Sequence, residues 1–130
     1  MDHSKTFKVL IVEDEPAILE LVKDTLFNER YEILEAEDGE RALKIAQDSD
    51  PDLILLDIML PKLNGYEVCR QLKSSDKTTR IPILLLTAFG QKREIEEGFK
   101  VKADGYIIKP FEPMKLREEV QRYLQNSQIQ

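Results

Sequence analysis

Five short aliphatic runs punctuate the chain: Val9-Leu10-Ile11-Val12, Tyr31-Glu32-Ile33-Leu34, Leu53-Ile54-Leu55-Leu56, Ile83-Leu84-Leu85-Leu86 and Gly105-Tyr106-Ile107-Ile108. Each is followed by apolar residues at helical spacing: Ile18, Val22 and Leu26; Ala42, Ile45 and Ala46; Val68, Cys69 and Leu72; Ile95 and Phe99; Leu116, Val120 and Leu124. Runs that are apolar at consecutive rather than alternate positions suit strands covered on both faces. Strand–helix alternation with short connections then calls for a parallel sheet with right-handed crossovers. The expected fold class is therefore α/β, a doubly wound five-stranded parallel sheet built as (βα)5. The second run, flanked and interrupted by Glu32 and Glu35, is placed at an edge.

Local punctuation agrees. Pro16 stands where a first-turn proline preorganises a helix, Asp38-Gly39 opens the second helix, Asn64-Gly65 closes the loop after the third strand, and Ile81-Pro82 enters the fourth. No internal repeat, low-complexity segment or linker interrupts the pattern. The expected organisation is a disordered leader over 1–7, one domain over 8–125 and a frayed tail over 126–130.

Composition removes several function classes. With 25 acids against 19 bases, a net charge of −6 leaves this domain no positive footprint for direct nucleic-acid or membrane binding. The apolar runs fall far short of the roughly 20 residues of a membrane helix, and none has the form of a signal peptide. A cytoplasmic protein is expected. The one cysteine, Cys69, excludes internal disulfides and multi-cysteine zinc sites and is read as a small buried hydrophobe. The one histidine, His3, lies in the leader, so neither a histidine-dependent triad nor a multi-histidine metal site is available inside the fold.

In an open parallel sheet the functional crevice lies beyond the carboxyl ends of the strands. The first strand ends in Glu13-Asp14, the third in Asp57, the fourth in Thr87-Ala88 and the fifth in Lys109-Pro110. Taken alone, each has an ordinary reading: an acidic first turn, a loop cap, a strand threonine, a solvated lysine. Together, three acids, a hydroxyl and an amine gather at four strand ends. Clustered carboxylates require a cation, and Mg2+, with Mn2+ as an alternative, takes one or two carboxylates together with phosphate oxygen. Glu13, Asp14 and Asp57 fit as metal ligands, while Lys109 and Thr87 would hold phosphoryl oxygens. Asp57, ending the most apolar strand and so placed centrally, is the candidate nucleophile for an aspartyl phosphate.

The ordered segments Val9-Leu10-Ile11-Val12-Glu13-Asp14-Glu15, Leu55-Leu56-Asp57-Ile58-Met59-Leu60-Pro61, Asn64-Gly65, Leu86-Thr87-Ala88 and Ala103-Asp104-Gly105-Tyr106 followed by Lys109-Pro110-Phe111 resemble response-regulator receiver domains. The likeness runs from about Lys8 to Leu124. It implies the flavodoxin-like strand order 2-1-3-4-5 that chemotaxis receivers share with flavodoxin. It further implies Asp57 as phosphoacceptor, the backbone carbonyl of Met59 as another metal ligand, a cis Lys109–Pro110 bond aiming Lys109 inward, and Thr87 with Tyr106 as a switch pair. With His3 outside the fold, the phosphohistidine donor must belong to a histidine kinase or a histidine phosphotransfer protein. The output would be altered binding through the fourth helix, fifth strand and fifth helix, with no turnover of a separate substrate.

Other classes fit less well. A haloacid-dehalogenase-type hydrolase needs a second Asp at the position of Met59. A flavodoxin-type cofactor module needs a Ser/Thr/Gly-rich loop where Glu13-Asp14-Glu15-Pro16 stands. A phosphorylation-independent docking module is the remaining alternative, although such modules usually lack the Asp or the Lys. Asp104-Gly105 and Glu118-Glu119 depart from the residues that receivers of winged-helix transcription factors use to dimerise. That particular dimer is not expected; with no effector domain following in 130 residues, the expectation is a stand-alone receiver, with a receiver cut from a longer protein as the alternative, monomeric or weakly dimeric on phosphorylation and with an unassigned downstream effector. Met59 and Phe89, bulky and apolar beside the acceptor and the switch threonine, predict slow self-dephosphorylation.

Overall fold

The computed structural model describes residues 6–88, 96, 97 and 100–129, with 126–129 as backbone alone. Strands β1 (Phe7–Val12), β2 (Tyr31–Ala36), β3 (Leu53–Asp57), β4 (Ile83–Thr87) and β5 (Gly105–Ile108) form one sheet. Its order is β2-β1-β3-β4-β5, and every neighbouring pair is parallel. Helices α1 (Pro16–Thr25), α2 (Gly39–Ser49), α3 (Gly65–Ser74) and α4 (Pro113–Ile129) complete the described elements. The helix expected around Ile95 and Phe99 lies outside the described residues, apart from helical backbone at Glu96, Glu97 and Lys100.

Alternation of side chains along each strand divides the core into two layers. Leu10, Val12, Ile54, Leu56, Ile83 and Leu85 face one way, against Ala42 and Ala46 of α2 and Val68, Cys69 and Leu72 of α3. Val9, Ile11, Leu53, Leu55, Leu84 and Leu86 face the other, against Val22 of α1 and Leu116, Val120 and Leu124 of α4. This two-sided cover is why β1, β3 and β4 read as unbroken apolar runs. At the edges the cover thins: β2 keeps Glu32 and Glu35 exposed, and β5 exposes Tyr106 and Ile108.

The helix starts follow the local chemistry. Pro16 opens α1; the Asp38 carboxylate accepts from the Arg41 N–H at 2.8 Å to cap α2; the Asn64 side chain accepts from the Glu67 N–H at 3.0 Å to cap α3. At both ends the described elements run past the expected limits. Phe7 belongs to β1 instead of the leader, because its ring is buried edge-on to Tyr31 and its N–H donates to the Arg30 carbonyl. Helical backbone also continues to Ile129, past the expected start of the tail, since no glycine or proline follows Pro113 to stop it.

Candidate functional site

The carboxyl ends of β1, β3 and β4 and the residues after β5 converge on one spot. Glu13 follows β1 and is fixed there by its N–H, which donates to the Ala36 carbonyl at 3.0 Å. Only 1% of Glu13 is exposed, and Asp57, the last residue of β3, is 4% exposed. Asp14 lies at the surface beside them. One carboxylate oxygen from each of Glu13, Asp14 and Asp57 lies within 4.8 Å of the other two.

Lys109 reaches into this acid cluster. Its Nζ lies 2.9 Å from Glu13 Oε1 and 3.4 Å from Asp57 Oδ2. Its backbone N–H donates to the Thr87 carbonyl at 2.6 Å, so the segment after β5 continues the ladder with β4. The Lys109–Pro110 peptide is cis, as the resemblance implied. Burial opposes the Lys109 ammonium, but pairing with Glu13 and Asp57 outweighs it and holds the lysine above its usual range.

One ammonium does not balance three carboxylates. Burial, reinforced by the neighbouring Asp57 charge, pushes Glu13 up to about 7 against the opposing pull of Lys109. This excess of acid over base, presented on hard oxygen donors, suits a divalent ion such as Mg2+. The donor set therefore fits the metal expected from the sequence.

The loop after β3 folds back on Asp57. Met59 N–H donates to Asp57 Oδ1 at 3.2 Å, Ile58 N–H to the Leu86 carbonyl at 3.1 Å, and Gly65 N–H returns to the Ile58 carbonyl at 2.8 Å. Met59 itself is 65% exposed. Phe89, its expected companion in shielding the acceptor, lies outside the described residues, as does His3.

Of the residues expected at the site, Glu13, Asp14, Asp57 and Lys109 are brought together. Thr87 is buried at the end of β4, next to the strand that ends in Asp57. Tyr106 stands apart on the sheet edge, 42% exposed and in register with Leu85. Two features go unsignalled in the sequence. Gly65 packs directly under the Asp57 backbone, where an added Cβ would lie 2.5 Å from the Asp57 carbonyl oxygen. Lys62 adopts a left-handed backbone (φ 67°) and pairs with Asp38 and Glu40. The Asn-Gly pair signals a turn but not this close approach, and a lysine carries no signal for left-handed backbone.

Comparison with known proteins gives a consistent result. Residues 9–121 match the family model described as the response regulator receiver domain. The alkaline phosphatase synthesis transcriptional regulatory protein PhoP of Bacillus subtilis is 43% identical over 122 residues, covering 94% of this chain and 50% of that protein. The chain spans about half the length of the curated relatives it matches. Among solved structures, chemotaxis response regulator CheY4 of Vibrio cholerae superposes with a TM-score of 0.85 at 34% identity, covering 92% of this chain and 99% of that one. The receiver domain of sensor histidine kinase PA1611 from Pseudomonas aeruginosa, solved with a magnesium ion coordinated in its active-site cleft, gives 0.80 at 30% identity, covering 92% and 98%.

Proposed function

The chain belongs to the response-regulator receiver family of two-component signalling, and on that premise we propose that it accepts a phosphoryl group on Asp57 and thereby switches its affinity for a partner. The observation that carries this reading is the convergence of Glu13, Asp14 and Asp57 on one spot, with Lys109 reaching into it.

A carboxylate oxygen of Asp57 attacks the phosphorus of a phosphohistidine presented by a histidine kinase or phosphotransfer protein. The new O–P bond forms as the P–N bond breaks, and the bonding pair leaves with the imidazole nitrogen, which takes up a proton. Glu13, Asp14, Asp57 and the Met59 carbonyl would hold Mg2+, with Mn2+ as a substitute. When bound, the metal would supply positive charge against the phosphoryl oxygens. Lys109 contributes a second positive charge, exchanging part of its pairing with Glu13 for a phosphoryl oxygen. The Thr87 hydroxyl donates to another oxygen from the end of β4.

The product adds about −1.5 to −2 charges and strong acceptor oxygens at the end of β3. Drawing Thr87 toward that charge changes the space beside β5, where Tyr106 is half exposed and borders, with Phe111 and Lys115, a cavity of about 410 Å³. A shift of Tyr106 would alter the surface formed by β5 and α4, biasing a pre-existing equilibrium between two partner-binding states. The domain catalyses only transfer to and from its own aspartate.

Intact mass after incubation with acetyl phosphate and Mg2+ tests the chemistry. Wild type should gain one phosphoryl group; Asp57→Asn, and wild type with chelator, should gain none. A folded, metal-binding wild type that stays unmodified by both acetyl phosphate and phosphohistidine donors would favour a phosphorylation-independent docking module.

A further inference from the structure

The loop that carries Met59 is joined to the start of α2, a helix that contributes nothing to the acid cluster. Lys62, near the tip of this loop, lies with its Nζ 3.6 Å from Asp38 Oδ2 and 3.8 Å from Glu40 Oε2. Alongside, Gly39 is packed so tightly on the loop that a Cβ there would meet the Leu63 Cβ at 2.7 Å and the Leu63 carbonyl oxygen at 2.9 Å. A left-handed backbone at Lys62 (φ 67°) is a conformation that a lysine adopts at a cost, and surrounding contacts must sustain it. Contacts with α2 thus border the loop on one side, while on the other the Met59 N–H is hydrogen-bonded to Asp57 Oδ1.

We propose that Lys62 is a positioning residue: its pairing with Asp38 and Glu40 clasps the β3–α3 loop to the start of α2 and holds Met59 against Asp57 in the geometry that metal binding and phosphoryl acceptance require. The inference rests on the reading of the acid cluster as a metal and phosphoryl site. It extends that reading to a residue that touches neither group.

Electrostatics and positioning make opposite predictions here. A lysine near an acidic metal site repels the incoming cation, so deleting its charge should tighten Mg2+ binding if field alone matters. If Lys62 holds the loop, deleting the charge should weaken binding. Lys62→Asn is the suitable variant, because asparagine tolerates left-handed backbone without the added freedom of glycine. Lys62→Arg keeps the charge and the reach.

Mg2+ titration by calorimetry, together with amide exchange at Met59 and Leu60 in metal-free protein, tests the proposal. Lys62→Asn should bind Mg2+ about threefold more weakly, in keeping with exposed ion pairs, and should exchange the Met59 amide faster at undiminished global stability. Lys62→Arg should restore both. Equal or tighter binding by Lys62→Asn would overturn the proposal, as would failure of arginine to rescue. Wild type that neither binds Mg2+ nor accepts a phosphoryl group would remove the underlying reading, and that outcome is visible in the wild-type titration before any variant is made.

Discussion

Replacing Gly65 with alanine sets two rules of helix energetics against each other. By intrinsic propensity the change should help, because alanine is favoured over glycine in a helix by up to about 1 kcal/mol, and nothing about the backbone demands glycine: no described glycine has a positive φ. The packing points the other way. The added Cβ would sit 2.5 Å from the Asp57 carbonyl oxygen, 2.6 Å from Ile58 Cα and 3.1 Å from the Asp57 carbonyl carbon. All three are backbone atoms, which no rotamer change can move. Relief to ordinary contact needs a displacement of about 0.9 Å between the start of α3 and the end of β3. Overpacking of this kind costs about 1–3 kcal/mol, so the net expectation is a loss of about 1–2 kcal/mol. Urea unfolding should show a midpoint lowered by about 0.5–1 M at unchanged slope. Because the displaced atoms belong to Asp57 and Ile58, phosphorylation by acetyl phosphate should fall as well. A Gly65→Ala protein as stable as wild type, or more so, would refute the reasoning and leave helix propensity as the controlling term.

Other expectations follow from the same structure. Asn64→Ala removes the cap on the Glu67 N–H and should cost about 1 kcal/mol by denaturant unfolding, with little effect on Mg2+ affinity. Saturating Mg2+, at about 100 times its dissociation constant, should stabilise the native state by about 2.7 kcal/mol and raise the melting temperature by several degrees; the shift should shrink in Asp57→Asn. Burial pushes the Cys69 thiol up to about 11 from 9.0, so the unfolded chain loses that proton first and stability should decline as pH rises from about 9 toward 11. Over that window wild type should lose up to about 1.4 kcal/mol per pH unit more than Cys69→Ala, and a parallel pH profile for the two proteins would count against it. If Met59 shields the acyl phosphate, Met59→Asn should shorten the lifetime of the phosphorylated protein, read as the decay of its intact-mass signal.

What can be read from the sequence is whatever a local pattern encodes. β3 and β4 are legible because a strand buried on both faces must be apolar at every position, and few other structures impose that. The strand ends are legible because the residue after a buried run is the first free to be polar, which is how Glu13, Asp57, Thr87 and Lys109 stand out. Phe7 reads as leader because a single aromatic before Lys8 carries no period; its burial depends on Tyr31 across the sheet. The Lys109–Glu13 bond joins residues 96 apart in the chain, and only closure of the fold brings them within reach. Lys62 and Gly65 stay hidden for related reasons: left-handed backbone at a lysine is set by the loop's closure, and the close approach of Gly65 to Asp57 is a contact between backbones.

Burial of the acid cluster and its responsiveness have one physical origin. A carboxylate 1% exposed, as Glu13 is, must find a cation, share a proton or destabilise the fold. In the middle of the sheet none of these solutions is open, since every neighbour is aliphatic. At the strand ends one lysine from the far side of the topological switch reaches in, and it satisfies only part of the charge. On the proposed reading, the charge left over is what makes the site sensitive: a divalent cation would be drawn to it, and a phosphoryl group arriving with that cation would compete with Glu13 for Lys109. The pairing that partly compensates the buried Glu13 would thus be the same pairing that phosphorylation rearranges. A site with Lys109 fully committed to a single acid would be more stable and less able to switch.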